Sequence, residues 1–237
     1  SRKSCAGLRR DASAYGHTMD PVCDLVLPCR DEAAALERLL PGVPAEFAVI
    51  VADNGSSDGT AEVARHLGAT VVFEPRPGYG AAVQAGLLAA TRDYVAFMDG
   101  DDSLDPEDLV ALLDLVRADR AELAVGRRRP VARGVWPWHA RAGNALVLWW
   151  LRRRTGIAVR DIAPMRVCRR TDLLALDVRD RRFGYPVELL QKAMEAGWRV
   201  VERDVSYRAR AAGTRSKVSG SVVGTLRTAR DFWRVIA

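Results

Sequence analysis

Tyr94-Val95-Ala96-Phe97-Met98-Asp99-Gly100-Asp101-Asp102 joins a short apolar run to three carboxylates packed into four positions. An apolar run of this length, cut off by glycine and acidic residues, reads as a buried strand. In an open α/β sheet such a strand delivers the residues after it to the carboxyl edge, where these sheets place their ligands. Carboxylates this close repel one another and call for a compensating cation. Hard oxygen donors suit Mg²⁺ or Mn²⁺, ions that keep positions open for phosphate oxygens. Asp99 and Asp101 are the expected metal ligands. Asp105, followed by Pro106 and Glu107, reads instead as the start of a helix, with Asp at the cap and Pro at the first helical position.

Outward from this stretch, apolar runs at Leu25 to Leu27, Phe47 to Val51 and Thr70 to Phe73 read as further strands. Helical-period segments over about 32–40, 60–67 and 80–91 separate them, giving βαβαβαβ and a parallel sheet covered on both faces. A helix over Pro106 to Ala118 and a strand over Glu122 to Gly126 come next. Beyond lie an Arg- and Trp-rich stretch to Arg154, a short strand near Met165 to Cys168, a helix over Pro186 to Ala196 and a strand over Arg199 to Val205. An amphipathic helix over about 220–236 ends the chain.

The 237 residues suit one large α/β domain rather than two. The net charge is +6, and the basic residues are nearly all arginine, since only Lys3, Lys192 and Lys217 are lysines. Basic runs at Arg127 to Arg129, Arg152 to Arg154 and Arg208 to Lys217 suit phosphates or an anionic membrane surface. Cys5, Cys23, Cys29 and Cys168 show no metal-ligand spacing and point to a reducing, cytoplasmic setting. Residues 1–18 lack the apolar core of a secretory signal and read as an N-terminal tail ahead of Met19. Ala145 to Leu151 is far too short to span a bilayer.

Asp53-Asn54-Gly55-Ser56-Ser57-Asp58-Gly59-Thr60 lies between the second strand and a helix. Its glycines and short polar residues suit a tight turn where backbone approaches a ligand. Asp53, at the strand's end, can accept a hydrogen bond from a base N–H or a ribose hydroxyl; Asp58 reads as a helix cap. Pro28-Cys29-Arg30-Asp31-Glu32 occupies the same edge after the first strand. Arg30 or Glu32 can touch a nucleotide there, and a first-turn Glu also answers to the helix dipole alone. Gly78-Tyr79-Gly80-Ala81-Ala82-Val83 lacks the third glycine of a dinucleotide fingerprint, and no GxxxxGK[ST] occurs. These features argue against a Rossmann dehydrogenase and a P-loop enzyme. A nucleotidyltransferase normally opens with a glycine-rich loop after the first strand, and Leu27 to Glu32 has no glycine.

These four segments, in this order and ending in Met98-Asp99-Gly100-Asp101-Asp102, resemble the family 2 glycosyltransferases of the GT-A fold, and within them the branch containing dolichyl- and polyprenyl-phosphate sugar synthases. The resemblance covers roughly residues 22–231. It implies a Rossmann-like, mostly parallel sheet flanked by helices, with a nucleotide-sugar half over 19–126 and an acceptor half over 127–237. It also implies a metal-dependent, inverting transfer from a UDP- or GDP-sugar to polyprenyl phosphate at the inner membrane face. Asp53 then contacts the base, and Asp99 and Asp101 bind the donor diphosphate through Mg²⁺ or Mn²⁺. Pro28, Arg30, Glu32, Gly78, Gly80 and Gly100 complete the donor site. Downstream, Gly126-Arg127 and Arg160 to Arg166 extend the likeness, and catalysis is assigned to Asp161 and Arg127. Arg127, Arg210, Arg215, Ser216 and Lys217 are assigned to the acceptor phosphate. The branch's Arg-x-x-Gly-x-Ser-Lys element is one residue longer here, Arg210-Ala211-Ala212-Gly213-Thr214-Arg215-Ser216-Lys217, and Ser103 stands where the branch often carries a Gln metal ligand.

The chemistry separates two acceptors. A lipid phosphate is already an anion and needs positioning by Arg127, Arg210, Arg215 and Lys217 rather than a strong base. A soluble hydroxyl acceptor needs a base, for which Asp161 is the best placed; Asp161 can equally orient Arg166 or a loop. A binding module without turnover is the reading from another class. Trp136, Trp138, Trp149 and Trp150, interleaved with Arg133, Arg141 and Arg152 to Arg154, read either as an interfacial amphipathic segment or as a helix packed on the sheet. No RNA-binding signature accompanies them, and no nucleic-acid partner is expected.

Overall fold

The computed structural model describes residues 20–210 except Arg133; the tail 1–18, Arg215, Ser216, Lys217 and the helix expected over 220–236 lie outside the described residues. Seven strands form one sheet: β1 (Cys23–Cys29), β2 (Phe47–Asp53), β3 (Thr70–Phe73), β4 (Tyr94–Phe97), β5 (Leu123–Pro130), β6 (Met165–Arg169) and β7 (Val200–Tyr207). Their order is β3-β2-β1-β4-β6-β5-β7. The first four strands are mutually parallel, as the alternation of apolar runs and helical segments implies. β6 runs antiparallel to both β4 and β5, and β7 is parallel to β5. Two reversals restore the direction. The carboxyl ends of β1, β2, β4, β5 and β7 therefore share one edge, where β6 contributes its amino end.

Helices α1 (Ala33–Leu39), α2 (Thr60–His66) and α4 (Asp108–Arg117) cover one face, and α3 (Tyr79–Ala89), α5 (Trp138–Thr155), α6 (Arg170–Ala175) and α7 (Tyr185–Glu195) the other. Side-chain alternation along the strands supplies both layers. On β5, Leu123 and Val125 pack under α5 and α7, whereas Ala124 packs on the α4 side. Short apolar strands buried on both faces are what a parallel sheet requires.

Two departures from the sequence expectation bear on the site. β5 does not stop at Gly126. It continues to Pro130, with Arg127, Arg128 and Arg129 in register with Asp204, Val205 and Ser206 of β7. Arg127 and Arg129, on one face, share Asp204 at 3.7 and 2.7 Å, so opposite charges across the strands carry the ladder outward. The basic run expected beyond the strand's end is therefore part of the strand. The second departure concerns α5, for which the sequence leaves a packed and an interfacial reading open. Asn144, Val147, Leu148 and Leu151 are buried on the sheet, while Trp138, Leu146 and Trp149 on the opposite side are 80%, 63% and 52% exposed.

Candidate active site

The β4 edge carries the acidic stretch. Gly100 is a packing requirement, because a Cβ there would lie 2.5 Å from Cys29 Sγ. Asp99 is half-buried and Asp101 buried. Burial first, and then the neighbouring Asp101, push the Asp99 carboxyl up to about 6, against the pull of Arg210, Arg128 and Arg166. Asp101 Oδ1 accepts the Ser103 N–H at 3.1 Å, and Asp101 Oδ2 faces Arg210 Nε at 2.6 Å. Asp102, in the left-handed region at φ 60°, turns its carboxylate to Arg38 at 3.1 Å and leaves the group. Among the described residues no set of three or more carboxylate, His or Cys ligands converges. Asp99 and Asp101 are the carboxylates of this edge that could hold a hard divalent ion, with phosphate oxygens and water completing its coordination. Ser103 Oγ is buried without a hydrogen-bond partner beside them.

Asp53 ends β2 opposite Cys29 of β1. Its Oδ1 accepts the Ser56 N–H at 3.0 Å and the Ser56 hydroxyl, and Asp31, at φ 52°, donates its N–H to that same hydroxyl oxygen. The Asp53 turn and the Asp31 turn are thereby tied together. The cap of α2 is Gly59, and Asp58 one residue earlier bridges the two helix starts, accepting the N–H groups of Thr60 and Ala33 at 3.0 Å each, while Thr60 Oγ1 accepts the Glu32 N–H at 2.9 Å. Glu32 is buried, with Arg210 close enough to feel its charge. Arg30 is exposed, 3.9 Å from Asp31. Pro28 sits one residue before the β1 end. Asn54 staples the next loop, donating to the carbonyls of Glu74 and Arg76 at 2.9 and 2.7 Å and accepting the Gly78 N–H at 2.8 Å.

Gly78 and Gly80 face protein backbone. A Cβ at Gly78 would meet the Arg181 carbonyl oxygen at 2.2 Å, and one at Gly80 the Asp180 carbonyl oxygen at 2.4 Å. The N–H groups of Gly80 and Ala81 donate to the carbonyls of Arg182 and Arg181 at 3.0 and 2.9 Å. The amino end of α3 is thus spent on the 180–182 loop. The two glycines position that loop at the site, and their donors are not turned to a ligand.

At the β5 edge the central cation is Arg128, whereas the sequence pattern points to its neighbour Arg127. Arg128 donates to both oxygens of Asp161, through Nε at 2.8 Å and Nη2 at 2.6 Å, with its own N–H on Asp161 Oδ2 at 2.9 Å. Its guanidinium lies 4.1 Å over the Trp136 ring and 5.6 Å from Tyr207. Asp161 is fully buried. Burial pulls its carboxyl upward, but the Arg128 hydrogen bonds and charge prevail and hold it below the usual range. A carboxylate so engaged is a poor proton acceptor, which weighs against Asp161 as the base of a hydroxyl acceptor and for its positioning role. Strand alternation is the signal that singles out Arg128, since it alone of the three arginines points away from Asp204. Arg166, buried on β6, donates to the Ile162 carbonyl at 2.7 Å. It does not pair with Asp161.

Arg127, Arg128, Arg129, Arg141, Asn144 and Arg160 line an open cleft of 590 Å³, with Val131, Trp136 and Ala145 supplying apolar surface. The Asn144 side chain accepts the Ile162 N–H at 3.0 Å, and Glu202 accepts those of Arg160 and Asp161 at 2.7 and 3.0 Å, fixing the loop that carries Asp161.

Residues 24–168 match the family described as Glycosyl transferase family 2. An uncharacterized glycosyltransferase of Mycobacterium tuberculosis is 54% identical over 214 residues, covering 90% of this chain and 97% of the relative. A dolichyl-phosphate hexose transferase of Haloferax volcanii is 34% identical over 183 residues, covering 77% and 78%. Glucosyl-3-phosphoglycerate synthase of Mycobacterium tuberculosis, solved with Mn²⁺, UDP and glucosyl-3-phosphoglycerate, has the same fold, with a TM-score of 0.72 at 22% identity over 91% of this chain and 78% of that one. The chain belongs to glycosyltransferase family 2, has the GT-A fold, and counts a dolichyl-phosphate hexose transferase among its relatives.

The Asp99 shift gives a signed pH dependence. A carboxyl that titrates near 6 when folded and at 3.8 otherwise takes up its proton more readily in the folded state, so stability falls as pH rises through that window. Measured without divalent metal, Asp99→Asn is expected to stabilise the fold by about 1–3 kcal/mol at pH 8 and little at pH 4.5. Urea unfolding at the two pH values checks this; a variant less stable than the parent at pH 8 contradicts it.

Proposed function

We propose that this glycosyltransferase moves a sugar from a UDP- or GDP-sugar to a polyprenyl phosphate, with inversion, at a membrane surface. The observation that carries the reading is the cleft: several arginines beside apolar and aromatic surface, sharing Arg128 with the acidic edge. A phosphate head with an apolar tail matches that mixture. The relative that acts on dolichyl phosphate supports the same acceptor class.

In this reading Asp53 receives the base, and Asp99 and Asp101 hold Mg²⁺ or Mn²⁺. The ion supplies Lewis-acid stabilisation of the departing diphosphate. Arg128, fixed by Asp161 and stacked on Trp136, aims a preorganised positive charge between donor and acceptor phosphates. Arg141 and Arg160, exposed and without an ion-pair partner among the described residues, draw the acceptor phosphate into the cleft. An acceptor phosphate oxygen attacks the anomeric carbon as the bond to the diphosphate breaks. No proton need be removed, which agrees with an Asp161 committed to Arg128. A hydroxyl acceptor would need a base that Asp161 does not offer. Asp161 is then a positioning residue.

The outer face of α5 supports membrane contact. Trp138, Leu146 and Trp149 recur at helical spacing on one side, and Arg153 stacks over Trp149 at 4.7 Å, the mix that settles at a headgroup boundary. No helix among the described residues is long and apolar enough to cross a membrane.

Nucleoside diphosphate release with a panel of UDP- and GDP-sugars tests the acceptor. Turnover should rise with short-chain polyprenyl phosphate and not with the free polyprenol; indifference to the phosphate refutes the reading. Arg128→Gln should lower kcat/KM by on the order of 10²-fold, and Arg128→Lys should recover little, since a Lys cannot reproduce the bidentate, stacked geometry. Replacing Trp138 and Trp149 together by alanine should weaken sedimentation with vesicles containing anionic lipid while sparing turnover on a soluble short-chain acceptor. Unchanged sedimentation would remove α5 from the membrane.

A further inference from the structure

Arg210 is set on the acidic edge by a braced piece of backbone. Tyr207, at the end of β7, bridges to Leu104, the Arg208 N–H donates to the Ser103 carbonyl at 2.8 Å, and the Arg208 side chain pairs with Asp105. The segment after β7 thus crosses the loop beyond Asp101, and Arg210 Nε reaches Asp101 Oδ2 at 2.6 Å. The other oxygen of Asp101 accepts the Ser103 N–H, whereas Oδ2 faces Arg210. Asp99 and Glu32 also feel the Arg210 charge. The side chain of Asp101 is 6% exposed, which leaves little water to screen one positive charge from another.

We propose that Arg210 and the divalent cation are alternative partners of Asp101. A guanidinium at contact distance from Oδ2 and a doubly charged ion on the same oxygen repel one another. The ion alone must displace Arg210 against this attraction. When the ion arrives with a nucleoside diphosphate, the phosphates offer Arg210 a new partner, and its release from Asp101 is compensated. Metal and nucleotide then bind with positive coupling, and Arg210 passes from the acidic pair to phosphate. The inference rests on reading Asp99 and Asp101 as the metal pair.

Mn²⁺ titration followed by the electron paramagnetic resonance of the free ion tests this in the full chain, with and without UDP or GDP. Arg210→Met should bind Mn²⁺ about tenfold more tightly than the parent without nucleotide, and nucleotide should improve that affinity less than it does in the parent. Arg210→Lys, which keeps the charge on a more flexible stem, should fall between the two; thermal melting of both variants shows that they are folded. Mn²⁺ affinity in folded Arg210→Met equal to or weaker than the parent's overturns the competition while leaving the metal pair intact. A parent that binds no Mn²⁺ under either condition, or whose Mn²⁺ binding survives Asp101→Asn, overturns the metal pair and the inference with it.

Discussion

The mutual repulsion of Asp99 and Asp101 is the constraint around which the carboxyl edge is built. Two carboxylates on a partly desolvated strand end are unfavourable unless cations are held nearby. The scaffold brings three arginines within their field, each from a different strand: Arg128 from β5, Arg166 from β6 and Arg210 just past β7. This convergence results from topology. β6, inverted between two parallel groups, lets β5 and β7 finish at the same edge as β4. A helix crossover to each strand in turn would give the same directions, but not an amino end at the site, and it is the amino end of β6 that brings Arg166 and the Asp161 loop there.

The Arg128–Asp161 pair shows how a buried charge pair serves position. Burying both groups costs more than their attraction returns unless every oxygen and N–H is matched. Here the carboxylate takes two side-chain donors and a backbone N–H of the same arginine, and the guanidinium lies over the Trp136 ring with Tyr207 farther off. Such a cation has few alternative rotamers. Reorganisation during the reaction is then small, which is the condition under which a fixed charge stabilises a transition state well.

Much of this is legible in the sequence because it depends on local pattern. The apolar runs around Leu25, Phe47, Thr70 and Tyr94 become the four parallel strands, and the Asp99 and Asp53 turns fall at their carboxyl ends. Features that depend on pairing between distant segments are not legible. Arg127 and Arg128 are adjacent letters in one basic run, and only the register against Asp204 separates their faces. Gly78 and Gly80 are assigned to the donor site by resemblance, and only the fold brings the carbonyls of Asp180, Arg181 and Arg182 against them from a distant part of the chain. Asp161 has the right chemistry for a base, and its full burial against Arg128 is a tertiary fact. The two faces of α5 can be read as core or interface because one is buried on the sheet and the other exposes Trp138, Leu146 and Trp149.

The mechanism stands or falls on a phosphate oxygen as the nucleophile, delivered to the donor by a fixed arginine without a base. Phosphorus-31 NMR of the acceptor after turnover reads the bonding of that oxygen itself. A phosphate nucleophile replaces the monoester resonance of polyprenyl phosphate with a diester resonance whose shift no longer depends on pH near neutrality. Sugar transferred while the acceptor phosphorus remains a titrating monoester would contradict it.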